Sequence, residues 1–482
     1  MLYDGWMLKR LLSLTALIVL LVFGATAATP TVTGPITAAA PSGDSSHQYP
    51  FFAALEDLKR PGYIEQEFFV SGAANRYDTP DAATGSIIDG DHRYKTRVVV
   101  RRPAHQARFN GTVVIEWNNV TAGHDLDIDW YQAHDYFIRS GIAYVGVSAQ
   151  RIGVEALKVW NRDRYDSLDV TADGTITNDA LCYDIFADVA RAVRKPADVD
   201  LLGGLKPQII IATGHSQSAT RLATYINSVH PLAPVFDAVV VHGGGAKIRT
   251  DLTIKVWKLL SETDVINNQA ANRQPDTNNF RSWEVAGDSH VDTQFTASSA
   301  PLGRRDGNPI APGFTPGLGG RGNANAAPAR APAGGNPCAQ PPYSHVPFYQ
   351  VMFAAFDHLQ EWVKNGKLPP SAPPIEVTAV GPPALIARDK NGNSAGGGIR
   401  LAEIAVPTGV NTGENSGTGF CRLYGSHRDF ESAMTNDLYP NHAAYVAAVK
   451  DVTEKNLKAG YILGPEAEAT IAAAERSDIG KR

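Results

Sequence analysis

Three side chains of this 482-residue chain could share the work of attacking a carbonyl carbon and releasing what is bound to it. The first is Ser216, in Gly214-His215-Ser216-Gln217-Ser218-Ala219, directly after the apolar run Ile209–Thr213 and before a pattern with Leu222, Tyr225 and Ile226 at helical spacing. A serine at such a strand-to-helix turn is held in a strained conformation with its hydroxyl above the sheet edge. Small residues are needed two positions either side of it. Gly214 meets that need, and Ser218 stands where a second glycine is usual. The second is His290, in the loop Gly287-Asp288-Ser289-His290 after the strand pattern Phe280–Ala286. An imidazole just past a late strand can take the serine proton and later return it. The third is a carboxylate that fixes the imidazole tautomer, offered by Ser261-Glu262-Thr263-Asp264-Val265 at the end of the run Ile254–Leu260. Asp264 has the usual strand–loop spacing and is preferred, with Glu262 as the alternative.

An acyl-transfer site also needs backbone N–H donors for the developing oxyanion. Gln217, the residue after the serine, supplies one. The loop after the strand Val113–Trp117 offers the other, at Asn118 or Asn119. Gly243-Gly244-Gly245 follows the nucleophile in the chain and reads as a tight turn at a strand end. The run Gly123-His124-Asp125-Leu126-Asp127-Ile128-Asp129 alternates oxygen ligands, as a calcium loop does, but lacks the bidentate glutamate and glycine pattern. It reads instead as a helix start with acidic first-turn residues. No cysteine and histidine spacing matches a zinc site, and no metal or cofactor is expected.

The elements that must position these groups form an alternating pattern. Short β-rich runs at Ile64–Val70, Thr96–Arg101, Thr112–Trp117, Ala143–Ser148, Gln208–Thr213, Ala238–His242, Ile254–Leu260 and Ser282–Ala286 are interleaved with helical patterns. Val113-Val114-Ile115 and Ile209-Ile210-Ile211 are apolar throughout, as strands buried on both faces are. Leu181, Ile185, Val189 and Val193 mark one helix; Phe348, Met352, Leu359 and Trp362 mark another, ended by Gly366 and Pro369-Pro370. Trp130, Tyr131, Trp160 and Tyr165 suit either a pocket or the core. The stretch 298–337 is rich in Gly, Pro, Ala and Asn and reads as a surface insertion. Residues 28–370 thus form the main domain. Residues 371–482 form an accessory region packing on it, with a strand at Gly397–Val406 and a polar helix near Asn441–Lys458.

Composition bounds the rest. Apolar content of 43% and a net charge of −5 describe a globular chain without a basic stripe, so nucleic acid is not an expected partner. Lys9 and Arg10, the apolar run Leu11–Phe23 and the small residues Gly24-Ala25-Thr26-Ala27 read as a signal peptide over 1–27. That run is shorter than the roughly 20 residues a spanning helix needs, so no stable membrane insertion is expected after cleavage. The chain is expected to be secreted or periplasmic. Of three cysteines in such an oxidising compartment, Cys338 and Cys421 lie in loop-rich sequence and are paired here, with Cys182 left on a helix face.

With these residues in hand the chain resembles the α/β-hydrolase superfamily, and within it the proteins grouped only as "alpha/beta hydrolase domain" proteins. The matching segments are Val114–Val120, Gly214–Ala219, Glu262–Val265 and Trp283–His290, with Gly397–Leu401 and Phe420–Ser426 later in the chain. The resemblance implies an α/β-hydrolase fold, a mostly parallel central sheet flanked by helices, and a carboxylester-hydrolase type of activity on a small-molecule ester. An amidase or acyltransferase using the same groups, or a binding protein on the same scaffold without catalysis, are the alternatives.

Overall fold

A computed structural model describes residues 29–36, 47–312 and 337–481. The expected signal peptide, and most of the 298–337 stretch, lie outside the described residues. Nine strands form one sheet: β1 (Thr31–Ile36), β2 (Tyr63–Asp78), β3 (Ser86–Pro103), β4 (Thr112–Trp117), β5 (Ala143–Val147), β6 (Ile209–His215), β7 (Ala238–His242), β8 (Lys255–Ser261) and β9 (Phe280–Val285). Their spatial order is β1-β2-β3-β5-β4-β6-β7-β8-β9. The first three join by antiparallel pairing, and every pairing from β5 to β9 is parallel. All residues of β4, β5, β6 and β7 are buried, which explains their mostly apolar or small side chains; Glu116, His215 and His242 are the exceptions.

The helices that matter for the site are α1 (Ile128–Ser140), α2 (Arg151–Trp160), α3 (Cys182–Arg194), α4 (Gln217–Thr224), α5 (Thr293–Asp306), α6 (Phe348–Asn365), α7 (His442–Ala459) and α8 (Gly464–Arg476). Successive side chains of a strand point to opposite faces, and β4 uses this to bind both layers. Glu116 accepts hydrogen bonds from the Asp129 and Trp130 N–H groups at the start of α1, at 2.9 and 3.2 Å. Trp117 packs on Phe186 of α3 with ring centroids 4.7 Å apart. Helices α1 and α6 pack on each other through Phe137 and Phe356, 5.0 Å apart. Trp130, Tyr131, Trp160 and Tyr165 all lie in the buried core.

Two expectations are corrected here, and a third, the helix start with acidic residues, holds and is extended. The 298–337 stretch does not begin as irregular chain: α5 runs to Asp306, whose buried carboxylate accepts from the Tyr49 hydroxyl at 2.7 Å and the Phe52 N–H at 3.0 Å. Gly397–Val406 is not a strand. Gly397 and Gly398 both adopt φ 66°, which breaks an extended run, and only Ile399 makes a single bridge to Val285 before a helical turn at Ala402–Ala405. The acidic run 123–129 is more than a helix start. Asp125 accepts from Ser148, Asp127 binds Arg101, and Asp129 accepts from Thr213, so each carboxylate pins a different element.

Candidate functional site

Strand β6 ends at His215, and Ser216 turns the chain into α4 with φ 61° and ψ −114°. A non-glycine residue in that region stores strain, which the surrounding contacts must hold. They do so on both sides. The Ser216 N–H donates to the His242 carbonyl at the end of neighbouring β7, and Asn119 Nδ2 donates to the His215 carbonyl at 2.9 Å. A Cβ on Gly214 would lie 3.1 Å from the Ser218 Cβ, so the close passage of strand and helix needs the glycine. Ser218 fits in place of a second glycine because its buried hydroxyl donates to the Asn118 carbonyl at 3.2 Å.

Ser216 and His290 border one cavity of about 220 Å³. It opens beside the loops that follow β4 and β6, where the strand order reverses direction across the sheet and open α/β sheets place their ligands. Strand β9 delivers His290 through a tight turn at Gly287, and the His290 ring meets the Asp264 carboxylate, Nδ1 to Oδ1, at 2.6 Å. Asp264 follows β8, and its other oxygen accepts from the Ser261 N–H and hydroxyl, both at 2.7 Å. Burial pushes the Asp264 carboxyl up, but the His290 charge and these hydrogen bonds outweigh it and hold it below the usual carboxylate range.

A second imidazole, His215 at the end of β6, lies between the rings of His290 and His242. The β6–β7 register sets His215 directly beside His242. The His215 ring is 4.2 Å from the His290 ring and 4.3 Å from the His242 ring, centroid to centroid. Burial, then the charges of His290 and His242, depress the His215 pKa well below the ordinary imidazole value, so it is a neutral platform. His242 is itself paired with Asp129, Nδ1 to Oδ1, at 2.6 Å, but it stacks on Phe348 and does not border the cavity. Gly243 is what admits the stack: a Cβ there would lie 2.8 Å from the His215 ring and 3.2 Å from His290. The three glycines thus form the turn at the end of β7.

Over residues 32–472 the sequence matches the family described as "Alpha/beta hydrolase domain". The chain belongs to that family. Among curated proteins none matches it. Solved structures similar to it include a serine hydrolase without lid from Xanthomonas campestris, at 13% identity and TM-score 0.27, covering 48% of this chain and 93% of that one. A glucuronoyl esterase from Teredinibacter turnerae has 12% identity and TM-score 0.27, covering 59% and 79%. An acetyl xylan esterase from Thermoanaerobacterium has 11% identity and TM-score 0.27, covering 53% and 80%.

In this α/β-hydrolase family member the remaining sequence candidates fall in different places. Glu262 is turned away from His290. Its carboxylate is fully buried, accepts from the Gly287 N–H at 2.8 Å and the Gly413 N–H at 2.9 Å, and pairs with Arg388 at 2.7 Å. It ties the turn before His290 to the C-terminal region. The Asn118 and Asn119 N–H groups are not available to an oxyanion, because they donate to the Val147 and Leu126 carbonyls. Both asparagines brace the nucleophile turn instead. Among the described residues the Val120 and Ala122 N–H groups of the same loop have no acceptor, and Ala122 borders the cavity. The Gln217 N–H is the first of α4, one of the donors a helix leaves unpaired. Cys338 and Cys421 form a disulfide with Cα atoms 5.3 Å apart, and Cys182 is free and buried. Sequence reasoning missed the Asp129–His242 pair, which joins α1 to the end of β7, and the His215 stack, which arises from lateral strand register. The one available signal was three histidines at strand or loop ends.

No helix among the described residues is long and apolar enough to cross a membrane. Among the described residues no group of three or more His, Cys, Asp or Glu side chains is disposed to hold a metal ion.

Proposed function

We propose that this chain is an exported carboxylesterase that works through an acyl-enzyme on Ser216. The observation that carries the reading is the Asp264–His290 pair at 2.6 Å beside a cavity that His290 shares with a strained serine. His290 takes the Ser216 proton as the hydroxyl oxygen attacks the ester carbonyl, then gives it to the departing alcohol. Water enters by the reverse steps and frees the acid. Asp264 holds the imidazole with Nδ1 carrying its proton and offsets the imidazolium charge. The Gln217 N–H supplies one oxyanion donor, and the Val120–Ala122 stretch supplies the second. A site with no charged Lys, Arg, Asp or Glu among its described lining residues favours an ester, whose alcohol leaves with less help than an amine. Export is supported by the leader pattern at 1–27 and by the Cys338–Cys421 bond.

A fluorophosphonate probe tests this reading. It should label the wild type at Ser216, and Ser216→Ala should abolish both labelling and p-nitrophenyl ester turnover. A wild type that neither labels nor turns over esters would leave a binding protein on a hydrolase scaffold.

A further inference from the structure

The cavity beside Ser216 is one-sided in its chemistry. Leu126, Ile128, Val291, Phe295, Phe420 and Leu423 line it, and no Lys, Arg, Asp or Glu among the described residues does. An anionic substrate group would lose its hydration there without a counter-charge, whereas an apolar group gains by burial. Arg304 and His124 enter only in an adjoining hollow of about 410 Å³, so the uncharged lining belongs to the part next to Ser216.

One portion of this lining has its own support. Phe420, Leu423 and Tyr424 sit on or beside the helical turn Cys421–Tyr424, four residues long and far too short to persist alone. Cys421 is bonded to Cys338, 83 residues earlier. The Cys338 segment carries Tyr343, whose N–H donates to the Tyr424 carbonyl at 2.9 Å and whose ring lies 4.9 Å from the Tyr424 ring. A second tie joins Ala339 N–H to the Ser416 carbonyl at 2.8 Å. The chain passes so closely that a Cβ on Gly417 would lie 2.3 Å from the Pro337 carbonyl oxygen and 3.0 Å from the Cys421 Sγ. One covalent bond therefore holds together the two strips that form this side of the cleft.

We propose that this disulfide-braced wall is the specificity element of the cleft: it selects a neutral apolar or aromatic group on the ester, and it does so only while the disulfide is intact. The proposal rests on the hydrolase reading of Ser216. An external dithiol that reduces the bond leaves two thiols on the chain and is itself oxidised to a cyclic disulfide. The strips are then joined by non-covalent contacts alone, those above together with the hydrogen bonds between Gln340 and Asn415, Thr418 and Pro337, and His427 and Pro341.

Initial rates of the full chain, produced under oxidising conditions, are compared on p-nitrophenyl acetate, octanoate, benzoate and hemisuccinate, before and after dithiothreitol. The Cys338→Ser/Cys421→Ser variant is measured alongside. The oxidised protein should favour octanoate and benzoate over hemisuccinate by about tenfold or more in kcat/KM. Reduction, or the double substitution, should lower kcat/KM for octanoate by about tenfold, mainly through KM, while the fluorophosphonate probe still labels Ser216. Phe420→Ala and Leu423→Ala keep the disulfide and should each shrink the octanoate-to-acetate ratio, which decides the matter if the cysteine variant does not fold. A preference for hemisuccinate, or a ratio indifferent to reduction and to both wall substitutions, overturns the proposal. Failure of the underlying hydrolase reading looks different: the wild type shows no labelling and no turnover of any ester.

Discussion

Two His–Asp pairs of this molecule are nearly identical in geometry and opposite in setting. His290–Asp264 and His242–Asp129 both join Nδ1 to a carboxylate oxygen at 2.6 Å, and they flank the same His215 ring. In the first, the imidazole is delivered by a loop beyond β9 and borders a cavity with Ser216. In the second, the imidazole closes a buried strand, lies flat on Phe348 at 5.0 Å, and its carboxylate is also held by Thr213. Residue types and pairing distance therefore do not make a general base. What separates the two pairs is position: His290 borders a cavity together with Ser216, and His242 does not.

The sharpest way to break this contrast is to delete each member at the cavity. Ser216→Ala and His290→Ala should each reduce kcat on a p-nitrophenyl ester by about 10⁴-fold or more, and Ser216→Ala should do so with thermal unfolding little changed. If His290→Ala keeps most of its activity, the cavity-facing pair is not the working one, and the roles of the two pairs must be exchanged.

Next in size is the acid. Asp264→Asn removes the negative charge that fixes the His290 tautomer and should cost about 10³- to 10⁴-fold in kcat. Glu262→Gln should instead leave kcat within about tenfold of wild type and lower the melting temperature, because it removes the fully buried anion that accepts from the Gly287 and Gly413 N–H groups and pairs with Arg388. Steady-state kinetics and calorimetry on the two variants separate these outcomes, and the reverse pattern would make Glu262 the acid.

The structural pair should respond in the opposite currency. His242→Leu leaves Asp129 charged and buried without its imidazole, a loss of about 3–5 kcal/mol in urea unfolding at neutral pH. Its kcat should fall far less than that of His290→Ala. A stable but inactive His242→Leu protein would mean that the imidazole stack does more than support the nucleophile turn.

How much of this was readable from sequence follows the same division. Strands β4 and β7 are legible to the residue because burial on both faces gives each a central apolar run, Val113-Val114-Ile115 and Val239-Val240-Val241. The nucleophile turn is legible because a strand, a small residue, a serine and a helix must follow one another locally. Strand β1 is not, since an edge strand with alternating exposure and Gly34-Pro35 in it carries no apolar run. The outer halves of β2 and β3, Ser71–Asp78 and Ser86–Lys95, extend as a half-exposed antiparallel pair rich in polar and small residues, and so look like loop. The choice between Asp264 and Glu262, and the loss of Asn118 and Asn119 as oxyanion donors, depend on which way groups turn after a strand ends. The Asn119–Leu126 bridge that consumes one of those amides joins positions whose pairing no local pattern announces.

The smallest effect tests the neutral platform between the two pairs. Burial, aided by the neighbouring imidazole charges, keeps His215 unprotonated in the folded chain, and burial also lowers His124 and His230 to about 4. The unfolded chain protonates these rings as pH falls below about 6.5. Between about 6.5 and about 4 the unfolded chain therefore binds more protons at these rings than the native state does, so their contribution to stability rises with pH and is lost on acidification. Asp125, Asp188 and Asp292, raised by burial to about 6, contribute with the opposite sign. Asp264, held below its ordinary range, adds to the loss only at still lower pH. Each such histidine contributes up to about 1.4 kcal/mol per pH unit in that window. His215→Leu removes one of them. The slope of unfolding free energy between pH 6 and pH 5 should then be shallower by about that amount, whatever the substitution does to absolute stability. Urea melts of both proteins at the two pH values measure it. An unchanged slope would mean that His215 takes up a proton in the native state, and a charged ring 4.2 Å from His290 is incompatible with the same stack serving as a neutral support.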